Sequence, residues 1–165
     1  MANTFELIAS YSASGSVSSI DFTSIPATYT DLCVKLSLRS STTDNVIMSI
    51  NSSSTPFTYK LLEGDPGGSP TAASYNGTTG RIGNVVAATS NTFSSLDVYI
   101  PNYAGSTNKS YSADAVSEGN TVGTYPDLTA GLWSNTSAIT ALGFTLSSSN
   151  FVQYSTAYLY GVKNA

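Results

Sequence analysis

A polar–apolar alternation of period two recurs along the whole chain and restricts its fold more than any other feature. The clearest stretch is residues 31–40, DLCVKLSLRS. There Leu32, Val34, Leu36 and Leu38 fall on one side of an extended backbone, and Cys33, Lys35, Ser37 and Arg39 on the other. A slip of one residue would drive Lys35 and Arg39 into a core, so the register is strongly specified. Residues 46–51 repeat the pattern with Val46, Met48 and Ile50. Residues 93–100 do so with Leu96, Val98 and Ile100, and stop at Pro101, which has no N–H to donate to a central ladder. The same reading predicts strands at 5–11, 17–22, 109–117, 127–133, 139–147 and 155–163, and it finds no convincing amphipathic helix.

Turn formers separate these segments at 14–15, 102–108, 118–120, 134–136 and 148–150. Eight or nine strands at such spacings predict an all-β fold, an antiparallel two-sheet β-sandwich that is jelly-roll-like, with a Greek-key sandwich of other topology as competitor. The 165 residues suit a single domain, 1–165. Residues 63–83, EGDPGGSPTAASYNGTTGRIG, break the rhythm with six glycines and two prolines and predict a long loop. Tyr75 and Arg81 are the large side chains of that loop able to anchor a contact. An interface and a tolerated surface insertion are both open readings of it.

Composition bears on function. Fifty residues are Ser or Thr, histidine is absent, and 10% of the chain is charged. Hydroxyls keep a strand-rich chain soluble without charge, while the missing imidazole removes the commonest acid–base group and metal ligand near neutral pH. The net charge is −4 and the six Lys/Arg are dispersed, so no basic patch forms for nucleic acid or for an anionic membrane. No apolar run approaches the ~20 residues of a transmembrane helix, and residues 1–10 lack the basic start of a secretory signal. Cys33 is alone and is expected to be a small buried hydrophobe. The scattered carboxylates show no glycosidase spacing and no EF-hand run. The expectation is no catalytic residue, no metal and no cofactor, with a protein surface or a neutral glycan as partner. A glycan-degrading enzyme built on two carboxylates is a remote reading.

Eleven tyrosines, six phenylalanines and one tryptophan are the stronger signal, since tyrosine suits half-buried positions and interfaces. In the last strand Tyr158 and Tyr160 alternate with Ala157, Leu159 and Gly161. Either series fits a core, and the tyrosine series is slightly preferred there. The opposite assignment makes Tyr158 and Tyr160 an outward stripe, and with Tyr75 and Arg81 they are the candidate interface residues. Trp133, at the end of a strand, is either core or a platform for stacking a sugar.

Several long segments carry a family likeness. ELIASYSASGSVSSIDFTSIPATYTDLCVKLSLRS, DVYIPNYAGSTNKSYSADAVSE, TAGLWSNTSAITALGFTLSSSNFVQYSTAYLYG and the closing GVKNA resemble, in the same order, small virion proteins of tailed bacteriophages, including phages of cyanobacteria. The likeness spans most of the chain but not residues 52–90. It implies a β-sandwich on the outer surface of the virion, assembled in the host cytoplasm, that serves as a capsid decoration (cement) protein. It further implies the major capsid protein as partner and a homo-oligomer, a trimer by preference. A tail- or fibre-associated module that recognises surface glycan is the alternative.

Overall fold

The computed structural model describes residues 4–53, 56–64, 67–87, 90–118 and 125–163. Among these, twelve strands form: β1 (Phe5–Ser12), β2 (Ser19–Phe22), β3 (Asp31–Leu38), β4 (Asp44–Ile50), β5 (Phe57–Glu63), β6 (Thr71–Gly77), β7 (Gly80–Val85), β8 (Ser94–Ile100), β9 (Lys109–Ser117), β10 (Tyr125–Trp133), β11 (Leu142–Leu146) and β12 (Thr156–Val162). They build two antiparallel sheets, one of eight strands in the order β1-β12-β3-β8-β9-β10-β5-β6 and one of four, β2-β11-β4-β7. The fold is therefore the expected all-β, two-sheet sandwich.

Its pairing is nested. β4 pairs with β7, β3 with β8, β2 with β11 and β1 with β12, so these eight strands form one long antiparallel ribbon. Rolling the ribbon brings β12 beside β3 and β11 beside β4. This is the jelly-roll order. Two hairpins interrupt it, β5–β6 and β9–β10, and both join the larger sheet beyond β8. Between the sheets lie Leu32, Val34, Leu36 and Leu38 from β3, with Val46, Met48, Ile50, Val98, Phe144 and Leu159, all buried. Each such aliphatic side chain contributes about 1.5–3 kcal/mol when fully buried.

The nine expected strands all form, with ends moved by a few residues, and three more accompany them. Gly119 and Asn120 of the expected 118–120 turn lie outside the described residues, as do Asp65 and Pro66. The expected loop at 63–83 is corrected, because it contains the last residue of β5, all of β6 and the first four residues of β7. β6 is an edge strand with a single partner and no sheet above it, so it needs no hydrophobic alternation. Its seven residues pair with β5 without a break, from Phe57↔Gly77 to Glu63↔Thr71. Two of the glycines that suggested a loop serve close packing instead. A Cβ on Gly80 would strike the Tyr111 hydroxyl, and one on Gly83 (φ 147°) would lie 2.3 Å from the Ala115 Cβ.

Lys109 opens β9 with its side chain turned inward, only 1% exposed. Its ammonium donates to the carbonyls of Gly105, Thr107 and Thr136, which ties the 101–108 turn to the segment after β10. Burial draws its pKa below the ordinary lysine value. Lys109→Ala strands these buried acceptors and is expected to cost about 3 kcal/mol in urea unfolding. A loss under about 1 kcal/mol would show that water satisfies the carbonyls equally well.

Candidate interaction surface

The four-stranded sheet packs on one face of the eight-stranded sheet but leaves β6 uncovered, and the other face is open. Cross-strand rows define that outer face. One row runs Leu7–Tyr160–Cys33–Tyr99–Ser112. The next crosses all eight strands as Ser10–Tyr158–Lys35–Asp97–Asp114–Leu128–Leu62–Ala72.

Tyr158 and Tyr160 thus point outward, which corrects the preferred assignment to the core. Ala157 and Leu159 fill the space between the sheets, and the Tyr29 ring lies over Gly161, whose added Cβ would sit 2.2 Å from that ring. No room is left on that side for two more tyrosines. Tyr158 is 40% exposed. Tyr160 is half-buried and meets the exposed Phe5 edge-on, with ring centroids 6.5 Å apart. Beside them Lys35 pairs with Asp97 at 2.6 Å, and this hydrogen bond raises the lysine pKa. The Tyr99 hydroxyl donates to Asp31 at 2.5 Å, a bond that pushes the phenol up to about 12. Cys33, buried in the same row, has its thiol pKa raised chiefly by burial.

The far end of this face is apolar. Leu62, Leu128 and Val116 are 57%, 55% and 53% exposed. With Ala72, Pro70 and Pro126 they line a shallow depression. The sequence reading did not single them out, although signals existed. Leu61 and Leu62 are adjacent, so in a strand only one can face the core. Val116 interrupts the otherwise polar series Ser110, Ser112 and Asp114 on the outer side of β9.

The other sequence candidates are dispersed. Tyr75 is exposed on β6 and stacks on Tyr59, centroids 5.1 Å apart at 23°. It lies six strands from β12, roughly 29 Å at the usual strand spacing. Tyr158 and Tyr160 therefore form one site and Tyr75 another.

Arg81 is corrected from surface anchor to internal cation. Glu63 on β5 stands opposite Asp127 on β10. Two carboxylates in one covered row require a positive charge, and β7 supplies it from above. The Arg81 guanidinium pairs with Glu63 and lies 4.0 Å from Asp127, while the Asn84 amide donates to Glu63 at 3.0 Å. Burial pushes the Asp127 carboxyl up to about 7, helped by the negative charge of Glu63 and opposed by Arg81. The Asp127 side chain is wholly shielded from solvent in this cluster, in which Glu63 and Arg81 keep a small exposed fraction. The chemical work of the cluster is to clamp β7 onto the β10–β5 pair.

Trp133 is 0% exposed and faces the core, which removes it as a sugar-stacking platform. Its alternation partners Asp127 and Thr129 point the same way, since side chains two residues apart share a face of the strand, and β7 packs against β10. No protein-family model matches the chain, and no curated protein matches it at a significant level.

Proposed function

We propose that this chain is a non-enzymatic structural protein of a tailed-phage virion, a capsid decoration protein that cements neighbouring major capsid subunits on the outer surface of the head. The observation that carries the reading is the open outer face of the eight-stranded sheet. Eight strands of about seven residues present roughly 900 Å² at standard strand spacings. A stable protein interface needs about 800 Å² from each partner. That face has an aromatic end with Phe5, Tyr99, Tyr158 and Tyr160, and an aliphatic end with Leu62, Val116 and Leu128. Between them lie the paired charges Lys35 and Asp97. The composition suits contact between proteins, and the sequence likeness to phage virion proteins supplies the setting.

Cementing in this reading comes from modest apolar and hydrogen-bonded contacts repeated over a symmetric shell, where multivalency multiplies weak single contacts. Quantitative mass spectrometry of purified particles, with immunogold labelling, tests it. The expected result is a copy number comparable to that of the major capsid protein and label over heads. Label confined to tails would rule the reading out.

A further inference from the structure

We propose that the free edge of β6 is a self-association edge, at which two copies of the chain pair β6 to β6 antiparallel about a two-fold axis. The two eight-stranded sheets would then continue as one. A sheet edge displays unpaired N–H and C=O groups, and proteins normally guard it with bulges, charges or shortness. Among the described residues the two sheets have four such edges, β1, β6, β2 and β7.

Three are guarded. In β1 the register passes from Leu7↔Tyr160 to Ala9↔Leu159, which leaves Ile8 as a bulge, and Glu6 adds a charge. In β7 it passes from Val46↔Gly83 to Ile47↔Arg81, which leaves Ile82 as a bulge beside the charged Arg81. β2 has four residues, one of them Asp21. β6 has none of these devices. Thr71–Gly77, TAASYNG, pairs evenly with β5 and contains no charge, no proline and no bulge.

The choice of a second copy as occupant follows from charge. Antiparallel self-pairing about a two-fold axis sets the axis residue opposite its own duplicate and every other residue opposite its mirror position. Both strands carry the same charge, so a charged edge strand is repelled by its copy. Glu6, Asp21 and Arg81 oppose self-pairing of the other three edges. β6 is neutral. With the axis at Ser74, Ala72 would face the partner's Asn76 and Ala73 the partner's Tyr75. The outward side chains at the seam would be Ala72, Ser74 and Asn76, all small, while Tyr75 keeps its stack on Tyr59. The pairing does not depend on the capsid reading, since it concerns only contacts between copies.

Sedimentation velocity of the full chain over a range of concentrations tests the proposal. The wild type is expected to be a dimer. Ser74→Lys places two ammonium groups at the axis and is expected to weaken pairing by about tenfold or more. Its far-UV circular dichroism should stay unchanged, because the position is exposed. Ser74→Asp should behave alike, and mixing the Lys and Asp variants in equal amounts should restore dimers. A wild type that is monomeric, or the trimer implied by the family likeness, would overturn the proposal. So would a Ser74→Lys dimer of undiminished affinity, or a mixture that fails to recover.

Discussion

Asp127→Asn is expected to stabilise the protein by about 4 kcal/mol above neutral pH and to change little near pH 4. The folded carboxyl titrates at about 7, driven there first by burial. In the unfolded chain an aspartate ionises near its ordinary value of about 3.9. Between those values the unfolded state releases a proton that the folded state retains. Stability from this group therefore falls by up to about 1.4 kcal/mol per pH unit from about pH 4 to about pH 7, and then levels. Asparagine keeps the shape without the titration. Asp44 acts in the opposite sense. Burial alone would raise its pKa, but hydrogen bonds from Ser149, Ser148 and Asn45 outweigh that and hold it below the usual range. Its contribution is present at neutral pH and is lost as pH falls through its folded pKa. Urea unfolding of wild type and variant from pH 4 to 8 separates the two. The curves should converge at the acid end and diverge with rising pH. Parallel curves would mean that Asp127 ionises normally and that Arg81 neutralises it fully.

Trp133→Ala is expected to cost about 3–5 kcal/mol, the range for removing a buried aromatic side chain from a core. Trp133 is fully buried at the end of β10, opposite Phe57 on one neighbouring strand and Lys109 on the other. The cavity would open beneath the clamp that Lys109 makes on the 101–108 turn. Trp133→Phe should cost much less. Among the described residues the indole N–H meets no hydrogen-bond partner, so a phenyl ring removes a buried polar group along with some volume. Far-UV circular dichroism is the suitable probe, because both variants lose the only tryptophan of the chain. Equal losses for the two would show that the indole N–H is satisfied by water.

The strands that were legible carry their own hydrophobic pattern. β4, β8 and β9 alternate strictly between buried and less buried positions, and β3 does so except at the buried Cys33, because a sheet covers one side of each and water the other. β5, β6 and β7 were not read. In β5 the pair Leu61–Leu62 breaks the alternation, since the second leucine belongs to an outer apolar patch. β6 has no pattern because neither of its faces is covered. In β7 the bulge at Ile82 and the glycines at 80 and 83 hide a strand that is buried along most of its length. These are positions where the need that shapes the residues is long-range, and a window of neighbours does not contain it.

The candidate surface divides in the same way. Alternation assigned Tyr158 and Tyr160 to one face of a strand, and it assigned Leu32, Val34, Leu36 and Leu38 to another in a register that charge enforces. A period-two pattern with apolar residues on both sides defines two faces but does not say which one another layer covers. That depended on Tyr29 lying over Gly161, a contact between segments far apart in the sequence. Arg81 shows the same limit for charge. Whether a lone arginine meets solvent or two carboxylates depends on Glu63 and Asp127 becoming neighbours, and only the docking of two inserted hairpins beside β8 makes them so. Local periodicity was enough for strands and for a sandwich, because side-chain direction in a strand is a property of adjacent residues. Partners, open faces and the fate of buried charge were decided by pairings between distant segments.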